Sequence, residues 1–199
     1  LVIGSSTKSW TYDGETHKDE VYTVTYDGTA VEADESGKVF TLSNGDTVTI
    51  TATAAGVKDY DASYSENNTY NYEISNASSY SDVTANVGTL SINKRAVTLT
   101  SESGEKEYDG TPLTKPDVTV GGDGFVEGEA TDIKATGSVT YVSDGEKTNT
   151  IVYTEGANFK ADNYTITKKE GTLKITESEK ALVIGSSTKS WTYDGETHK

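Results

Sequence analysis

The stretch LVIGSSTKSWTYDGETHK occupies Leu1–Lys18, and the same letters return without a change at Leu182–Lys199. It opens with a short apolar run of strand-forming residues and closes on a Tyr-Asp-Gly turn sequence. An identical run at a separation of 181 residues (182 − 1) indicates a tandem array with a repeat unit of that length. Arrays of near-identical units are typical of proteins that span distance or multiply contacts. We therefore expect a structural or adhesive repeat protein.

The repeat unit is itself double. The segment AVTLTSESGEKEYDG from Ala96 aligns without a gap with ALVIGSSTKSWTYDG from Ala181, and GTLSI at Gly88–Ile92 matches GTLKI at Gly171–Ile175. The sequence predicts two diverged β domains, residues 1–94 (domain one) and residues 95–180 (domain two). Residues 181–199 are then a stub of the next copy of domain one, without the partners it needs to fold as a unit.

Six segments alternate apolar and polar residues with a period of two, which is the pattern of half-buried strands. The predicted strands are Val21–Tyr26, Thr47–Thr53, Thr69–Ile74, Ser138–Ser143, Asn149–Thr154 and Tyr164–Lys168. The best helix candidate is one or two turns near Val126–Asp132. We expect a mainly β chain with little or no helix, made of small domains whose sheets are either sandwich-like or β-grasp-like.

The predicted domain junctions lack hinge residues. Neither Gly nor Pro occurs from Thr89 to Ser103 or from Thr172 to Ile184, so the last strand of each domain continues almost directly into the next. Flexible linkers are usually longer and rich in Gly and Ser. We expect stiff, end-to-end stacking of the domains into an elongated rod.

The chain carries 17 Lys and Arg against 32 Asp and Glu, a net charge of −15, and it has no Cys. Nucleic-acid affinity rests largely on Lys and Arg, so this charge argues against a nucleic-acid partner. No apolar stretch approaches the roughly 20 residues that span a bilayer, so we expect no membrane insertion. Without Cys there are no disulfides and no thiolate metal sites. The charge suits a self-repelling protein outside the cell.

No constellation of residues supports an enzyme, so we expect no catalytic residues. His17 and His198 are one repeat position seen twice, and no nucleophile-elbow sequence occurs. We expect no metal ligands and no cofactor, with calcium left open because Asp and Glu near Gly, or near each other, offer hard oxygen ligands. The calcium candidates are Asp123, Glu127 and Glu129, and the closely spaced Asp59 and Asp61.

A Tyr-Asp-Gly triplet recurs at equivalent places in the repeats. The three copies are Tyr12-Asp13-Gly14, Tyr108-Asp109-Gly110 and Tyr193-Asp194-Gly195. The triplet predicts a structural turn in which Asp accepts backbone N–H groups, Gly has a positive φ and Tyr plugs the end of a small core. Alternatively, Tyr12 is exposed and binds a glycan ring by stacking. Trp10, two residues earlier, either caps a domain junction or contributes to a sugar or protein contact.

Domain two resembles a known class of repeat. KEYDGTPL at Lys106–Leu113 and ADNYTITKKEGTLKIT at Ala161–Thr176 are similar to the YDG/MBG-type repeat domains of bacterial cell-surface adhesins. Domain one keeps TYDG and GTLSI, but SYSDVT stands where DNYTIT is expected. The resemblance implies an extracellular, wall-associated bacterial protein whose repeats form a fibrous stalk. Wall-bound β domains of this type often carry an internal Lys–Asn isopeptide bond, so such a bond is left open here.

The leading functional interpretation is a structural stalk repeat that spaces a binding tip from the cell. If the first and last strands of a domain are parallel neighbours, tension on the two ends loads their hydrogen bonds in shear, which suits a tether. The alternative is a repeat that itself binds host glycan or mucin through multivalency. The expected partners are neighbouring repeats of the same chain. The duplicated segment 182–199 also predicts strand exchange with the first domain of another molecule.

Overall fold

The computed structural model describes residues 1–199, and the chain is mainly β. Domain one contains the strands β1 (Val2–Ser5), β2 (Lys8–Thr11), β3 (Tyr22–Tyr26), β4 (Thr29–Val31), β5 (Val39–Thr41), β6 (Thr47–Ala52), β7 (Tyr70–Ile74), β8 (Thr84–Asn86) and β9 (Leu90–Asn93). Domain two contains β10 (Arg95–Ser101), β11 (Gly104–Glu107), β12 (Leu113–Thr114), β13 (Val118–Gly122), β14 (Ala130–Ala135), β15 (Ser138–Val139), β16 (Lys147–Thr148), β17 (Ile151–Glu155), β18 (Tyr164–Lys169) and β19 (Thr172–Thr176).

Every strand pair lies within one of the two predicted domains. In domain one the sheets have the orders β4-β3-β1-β8, β5-β6-β7 and β2-β9. In domain two they have the orders β13-β10-β18, β11-β19-β16, β14-β17 and β12-β15. The first strand of each domain pairs antiparallel with a strand from the first half of that domain and parallel with a strand near its end.

The parallel pairing of terminal strands occurs twice in each domain. β1 pairs with β8 and β2 with β9 in domain one, while β10 pairs with β18 and β11 with β19 in domain two. The registers correspond, because Ile3 faces Ala85 and its counterpart Leu99 faces Lys168. Ile3 and Leu99 both have 0% exposed surface. The internal sequence repeat is therefore also a repeat of topology.

A buried polar network holds these terminal strands in both domains. In domain one the Ser5 hydroxyl donates to the carbonyl of Asn68 at 2.7 Å and accepts the N–H of Gly88 at 2.8 Å. In domain two Ser101 makes the same two contacts with Asn149 and Gly171, at 2.6 and 3.0 Å.

The Gly of the Gly-Thr-Leu motif is required by a close approach of two backbones. A Cβ on Gly88 would lie 2.0 Å from the carbonyl oxygen of Ser6, and one on Gly171 would lie 2.4 Å from the backbone of Glu102. Real Cβ atoms do not approach backbone atoms so closely. The Gly-Thr-Leu motif thus recurs in the sequence because both domains need a residue without a Cβ at this close approach.

Apolar residues, most of them on alternate strand positions, form three buried clusters. One lies within domain one and contains Ile3, Tyr22, Val24, Phe40, Leu42, Val48 and Ile50. A small one lies within domain two and contains Val139, Leu173 and Ile175. The third contains Tyr12, Val57, Leu90, Ile92, Val97, Leu99, Ile151 and Tyr164, so it draws on both domains.

Two of the predicted elements are corrected by the structure. The helix candidate at Val126–Asp132 is a turn followed by the start of β14, and the only helical pieces are the 3₁₀ turns Ala77–Ser79, Val142–Asp144 and Ala161–Asn163. The strand predicted at Ser138–Ser143 ends at Val139. It ends there because the Asp144 carboxylate accepts the N–H groups of Thr140 and Tyr141 and bends the chain into the second of those turns.

The stub, residues 181–199, contains no strand. Its apolar residues Leu182, Val183 and Ile184 are 85–88% exposed, whereas Val2 and Ile3, the counterparts of the last two, lie in β1. No helix in the structure has the length and apolar character needed to cross a bilayer.

Candidate functional site: the junction between the two domains

The junction begins at the end of β2, where Tyr12 leads into the first Tyr-Asp-Gly turn. The Asp13 carboxylate accepts the N–H of Glu15 at 2.9 Å, and Gly14 has a φ of 84°. The other two triplets have the same geometry. Asp109 accepts the N–H of Thr111 and Asp194 that of Glu196, while Gly110 and Gly195 both have a φ of 83°.

The hydroxyl of Tyr12, in domain one, forms a hydrogen bond with a residue of domain two. It donates to Oε1 of Glu129 at 2.6 Å, and the hydroxyl of Tyr164 donates to Oε2 of the same carboxylate at 2.6 Å. The two tyrosine rings meet edge to face, 5.5 Å between centroids. Tyr12, Tyr164 and Glu129 are each less than 5% exposed. Domain one thus contributes one donor, and domain two contributes the acceptor and the second donor, to a buried hydrogen-bonded triad.

Burial and the carboxylate both act on the tyrosine hydroxyls. Burial raises the pKa of Tyr164 to about 12, and the hydrogen bond to Glu129 raises it in the same direction. The pKa of Tyr12 is raised for the same two reasons. Both hydroxyls therefore stay protonated, and available as donors, to a higher pH than an exposed tyrosine does.

A second polar contact lies beside the triad. The Asn163 amide oxygen accepts the N–H of Tyr60 at 2.7 Å, and its amide nitrogen donates to Asp59 at 2.8 Å. Lys160 forms an ion pair with the other oxygen of Asp59. Burial opposes ionisation of Asp59, but the hydrogen bonds from Lys160 and Asn163 outweigh it and lower its pKa. The loop around residue 59 of domain one is thereby fixed to the 3₁₀ turn that precedes β18.

Arg95, the first residue of β10, joins the backbones of the two domains. Its Nε donates to the carbonyl of Gly124 at 2.7 Å, and Nη1 donates to the carbonyl of Tyr12 at 3.2 Å. Only Lys94 separates β9 from β10, so Arg95 acts where the chain itself crosses the boundary.

Apolar packing continues through the junction. The cluster that draws on both domains includes Leu90 and Ile92 of β9 together with Val97 and Leu99 of β10, and Trp10 packs against its edge. The two domains therefore share one interior at their boundary, and no flexible linker separates them. This arrangement agrees with the absence of Gly and Pro between residues 89 and 103.

The interpretation of Tyr12 as an exposed glycan-stacking residue is corrected by the structure, because its ring is 2% exposed and covered by domain two. Trp10 is half-buried. Its ring stacks on His17 at 5.0 Å between centroids, and the Lys8 ammonium lies 5.3 Å from the ring centroid. The chain itself thus supplies the neighbours of the indole. A groove of about 460 Å³ does lie at the junction, but most of its lining is polar or charged.

The three tyrosines of the triplets lie in different surroundings. Tyr12 is buried by domain two, Tyr108 is 38% exposed beside Tyr141, and Tyr193 in the stub is 95% exposed. The triplet therefore fixes a turn, while the neighbouring domain determines whether its tyrosine enters a core.

Three of the calcium candidates, Asp59, Glu127 and Glu129, line the same groove but do not form a metal-binding group. The structure contains no group of three or more His, Cys, Asp or Glu side chains arranged to hold a metal ion. Each oxygen of Glu129 accepts a tyrosine hydroxyl, and Asp59 is bound by Lys160 and Asn163. His17 lies against the carboxylate of Asp13, 3.0 Å away. The Lys–Asn isopeptide bond stays a prediction, which an intact mass lower by one ammonia would support.

Sequence reasoning found one partner of the triad and missed the others. Tyr164 lies in the DNYTIT segment that carries the family resemblance, and the sequence singles out Glu129 only as a calcium candidate. Neither residue signals a contact with Tyr12, because the three positions are far apart in sequence. No family model, curated protein or solved structure matches this chain. The contacts themselves must therefore support any functional conclusion.

Proposed function

We propose that this chain is a load-bearing stalk module, in which small β domains are joined in series to hold two ends of a longer protein apart. The observation that carries the proposal is the parallel pairing, in both domains, of the first two strands with the last two: β1 with β8 and β2 with β9, and β10 with β18 and β11 with β19. The resemblance to YDG/MBG-type adhesin repeats supports the same function and an extracellular location on a bacterial surface.

The strand geometry supports resistance to stretching. β10 and β18 pair in parallel over six residue positions, from Arg95 facing Tyr164 to Thr100 facing Lys169. When the two ends of a domain are pulled apart, parallel terminal strands must slide past each other along their length. All the hydrogen bonds of that ladder then bear the load together, whereas a hairpin pulled open from one end loses its bonds one by one.

The junction supports transmission of the load. A pull on domain two reaches domain one through the direct continuation of β9 into β10 and through the buried triad of Tyr12, Glu129 and Tyr164. The net charge of −15 makes neighbouring molecules repel each other, which disfavours collapse of one stalk onto another. The glycan-binding alternative gains no such support, because Tyr12 is buried and Trp10 packs on its own chain.

Single-molecule pulling tests the proposal. The chain has no native Cys, so an engineered Cys provides a unique attachment point. One molecule is pulled through its two termini. A second is pulled through its N-terminus and a Cys at Gly28, the tip of the β3–β4 hairpin, which peels β3 from β1 instead of shearing β1 along β8. We expect a several-fold higher unfolding force between the termini. Equal forces in the two directions would remove the basis of the proposal.

A further inference from the structure

The N-terminal end of domain one carries a carboxylate and a tyrosine arranged like those at the junction. The hydroxyl of Tyr80 donates to Oδ2 of Asp46 at 2.6 Å, as that of Tyr164 donates to Oε2 of Glu129 at 2.6 Å. Asp46 and Glu129 differ by 83 positions (129 − 46), the same separation that relates GTLSI to GTLKI. Tyr80 and Tyr164 each follow directly after a 3₁₀ turn.

The two carboxylates differ in what occupies their second oxygen. Oε1 of Glu129 accepts the hydroxyl of Tyr12 from the preceding domain. Oδ1 of Asp46 instead accepts the side-chain amide of Asn76, an exposed residue in the same domain, together with a weak contact of 3.3 Å from Ser75. The second oxygen of Asp46 is thus held by a surface group that a stronger donor can displace.

The C-terminal end of domain two carries the matching donor. Tyr108 is the counterpart of Tyr12, because its N–H donates to the carbonyl of Thr176 at 2.9 Å just as that of Tyr12 donates to Asn93 at 2.9 Å. Its ring is 38% exposed, and its hydroxyl makes no hydrogen bond within the chain. Tyr141 and Val142, 55% and 42% exposed, extend this apolar end. Domain two therefore presents an uncovered copy of the surface that domain one buries.

Given the tandem array on which the proposed function rests, we infer that Tyr108 of one unit docks on Asp46 and Tyr80 of domain one in the following unit. Its hydroxyl replaces the Asn76 amide on Oδ1 of Asp46 and forms a second tyrosine–carboxylate–tyrosine triad. Lys180 lies 85 positions after Arg95 (180 − 95), the offset that relates Ala96 to Ala181, so a basic residue again stands where the chain crosses between domains. Both kinds of junction in the array are then closed in the same way.

The test uses a chain of two consecutive units, residues 1–181 followed by residues 1–199, and places the substitution Tyr108→Phe in either unit. Only the first-unit Tyr108 has a complete domain one after it. We expect the first-unit substitution to lower the urea midpoint about as much as Tyr12→Phe does in the same chain, and the second-unit substitution to leave it unchanged. Equal effects of Tyr108→Phe in the two positions would overturn the inference.

The acceptor side has its own matched pair. Asp46→Asn weakens the contact with Tyr80 in either unit, so the informative quantity is the difference between the two positions. The loss should be larger in the second unit, whose Asp46 faces the preceding Tyr108, and an equal loss in both would contradict the inference. The pulling experiment on the single chain tests only the terminal strands. If the two-unit chain shows no docking, the proposed stalk function is unaffected. If pulling shows no difference between the two directions, the docking inference is unaffected.

Discussion

At the scale of single residues, the hydroxyl of Tyr12 is the clearest case of an atom that acts between domains. It lies 2.6 Å from a carboxylate whose other oxygen is held by Tyr164, and all three side chains are buried. Hydrogen bonds to charged groups contribute more than neutral ones, and a buried acceptor that loses its donor is costly. One oxygen atom on Tyr12 is therefore expected to influence the stability of the whole junction.

Replacing that hydroxyl gives the first prediction. Tyr12→Phe removes one donor from Glu129 and should lower the free energy of unfolding by about 2 kcal/mol, as measured by urea titration. Tyr108→Phe in the same single chain is the matched control, because the Tyr108 hydroxyl makes no hydrogen bond there. A Tyr12→Phe protein as stable as the parent would show that the triad contributes nothing to the junction.

Gly88 gives a second prediction at this scale. A Cβ at this position would meet the carbonyl oxygen of Ser6 at 2.0 Å, and backbone atoms cannot move aside as a flexible side chain can. Gly88→Ala should therefore destabilise the protein by more than about 2 kcal/mol. Gly185→Ala, where nothing lies within 4 Å, is the control and should leave the thermal midpoint unchanged. If both variants have similar thermal midpoints, the close approach of Gly88 to Ser6 is not needed for stability.

At the scale of elements, the terminal strands depend on a buried Asn in each domain. The amide nitrogen of Asn149 donates to the carbonyls of Glu102 and Lys115 at 3.0 and 2.8 Å, and its oxygen accepts the N–H of Gly137 at 3.0 Å. Asn149 is 0% exposed, so water cannot replace these partners. The side chain thus ties three segments of domain two together beside β19.

Removal of this side chain is the third prediction. Asn149→Ala leaves two carbonyls and one N–H without a partner and should lower the free energy of unfolding by about 3 kcal/mol. It should also lower the force at which domain two unfolds when pulled from its ends. Asn158→Ala, at an exposed position, is the control. If the Asn149→Ala protein unfolds at the same force as the parent, the hydrogen bonds of Asn149 do not contribute to mechanical resistance.

The strands were more predictable than the connections between them. Five strands begin and end within two residues of segments predicted from alternation: β3, β6, β7, β17 and β18. A strand with one buried face alternates apolar and polar residues, so its own sequence predicts it. The end of β15 was wrong because the Asp144 carboxylate captures N–H groups of Thr140 and Tyr141, a contact that alternation does not encode. Which strands pair, and that the terminal ones are parallel, depends on contacts between distant segments.

At the scale of the whole molecule, charge opposes the compact state. The chain has a net charge of −15, and every ion pair includes at least one exposed side chain, so each pair contributes little individually. Mutual repulsion among the acidic residues should therefore cost stability at low ionic strength. Raising NaCl from about 20 mM to about 300 mM shortens the screening length and should raise the thermal midpoint. A midpoint that falls with salt would show that attractive ion pairs dominate.

The fifth prediction concerns alkaline pH. The pKa of Tyr12 is raised above its ordinary value, and that of Tyr164 is raised to about 12, so the folded state holds these protons more tightly than the unfolded state does. Their contribution is fully present below about pH 10, the ordinary tyrosine value, and is lost as pH rises from there towards 12. Urea midpoints should fall over this range, and less steeply in Tyr12→Phe. An identical slope in that variant would exclude the triad as a cause.

The identical segments Leu1–Lys18 and Leu182–Lys199 show which contacts depend on local sequence and which depend on the tertiary structure. Trp10 stacks on His17 at 5.0 Å and Trp191 stacks on His198 at 5.1 Å, and each His lies against the Asp of its own turn. These contacts join residues only a few positions apart, so the local amino-acid sequence is sufficient to determine them. Tyr12 and Tyr193 have identical neighbours in sequence, yet one is 2% exposed and the other 95%. The difference arises because burial requires a second surface, and only Tyr12 has Glu129 and Tyr164 folded against it.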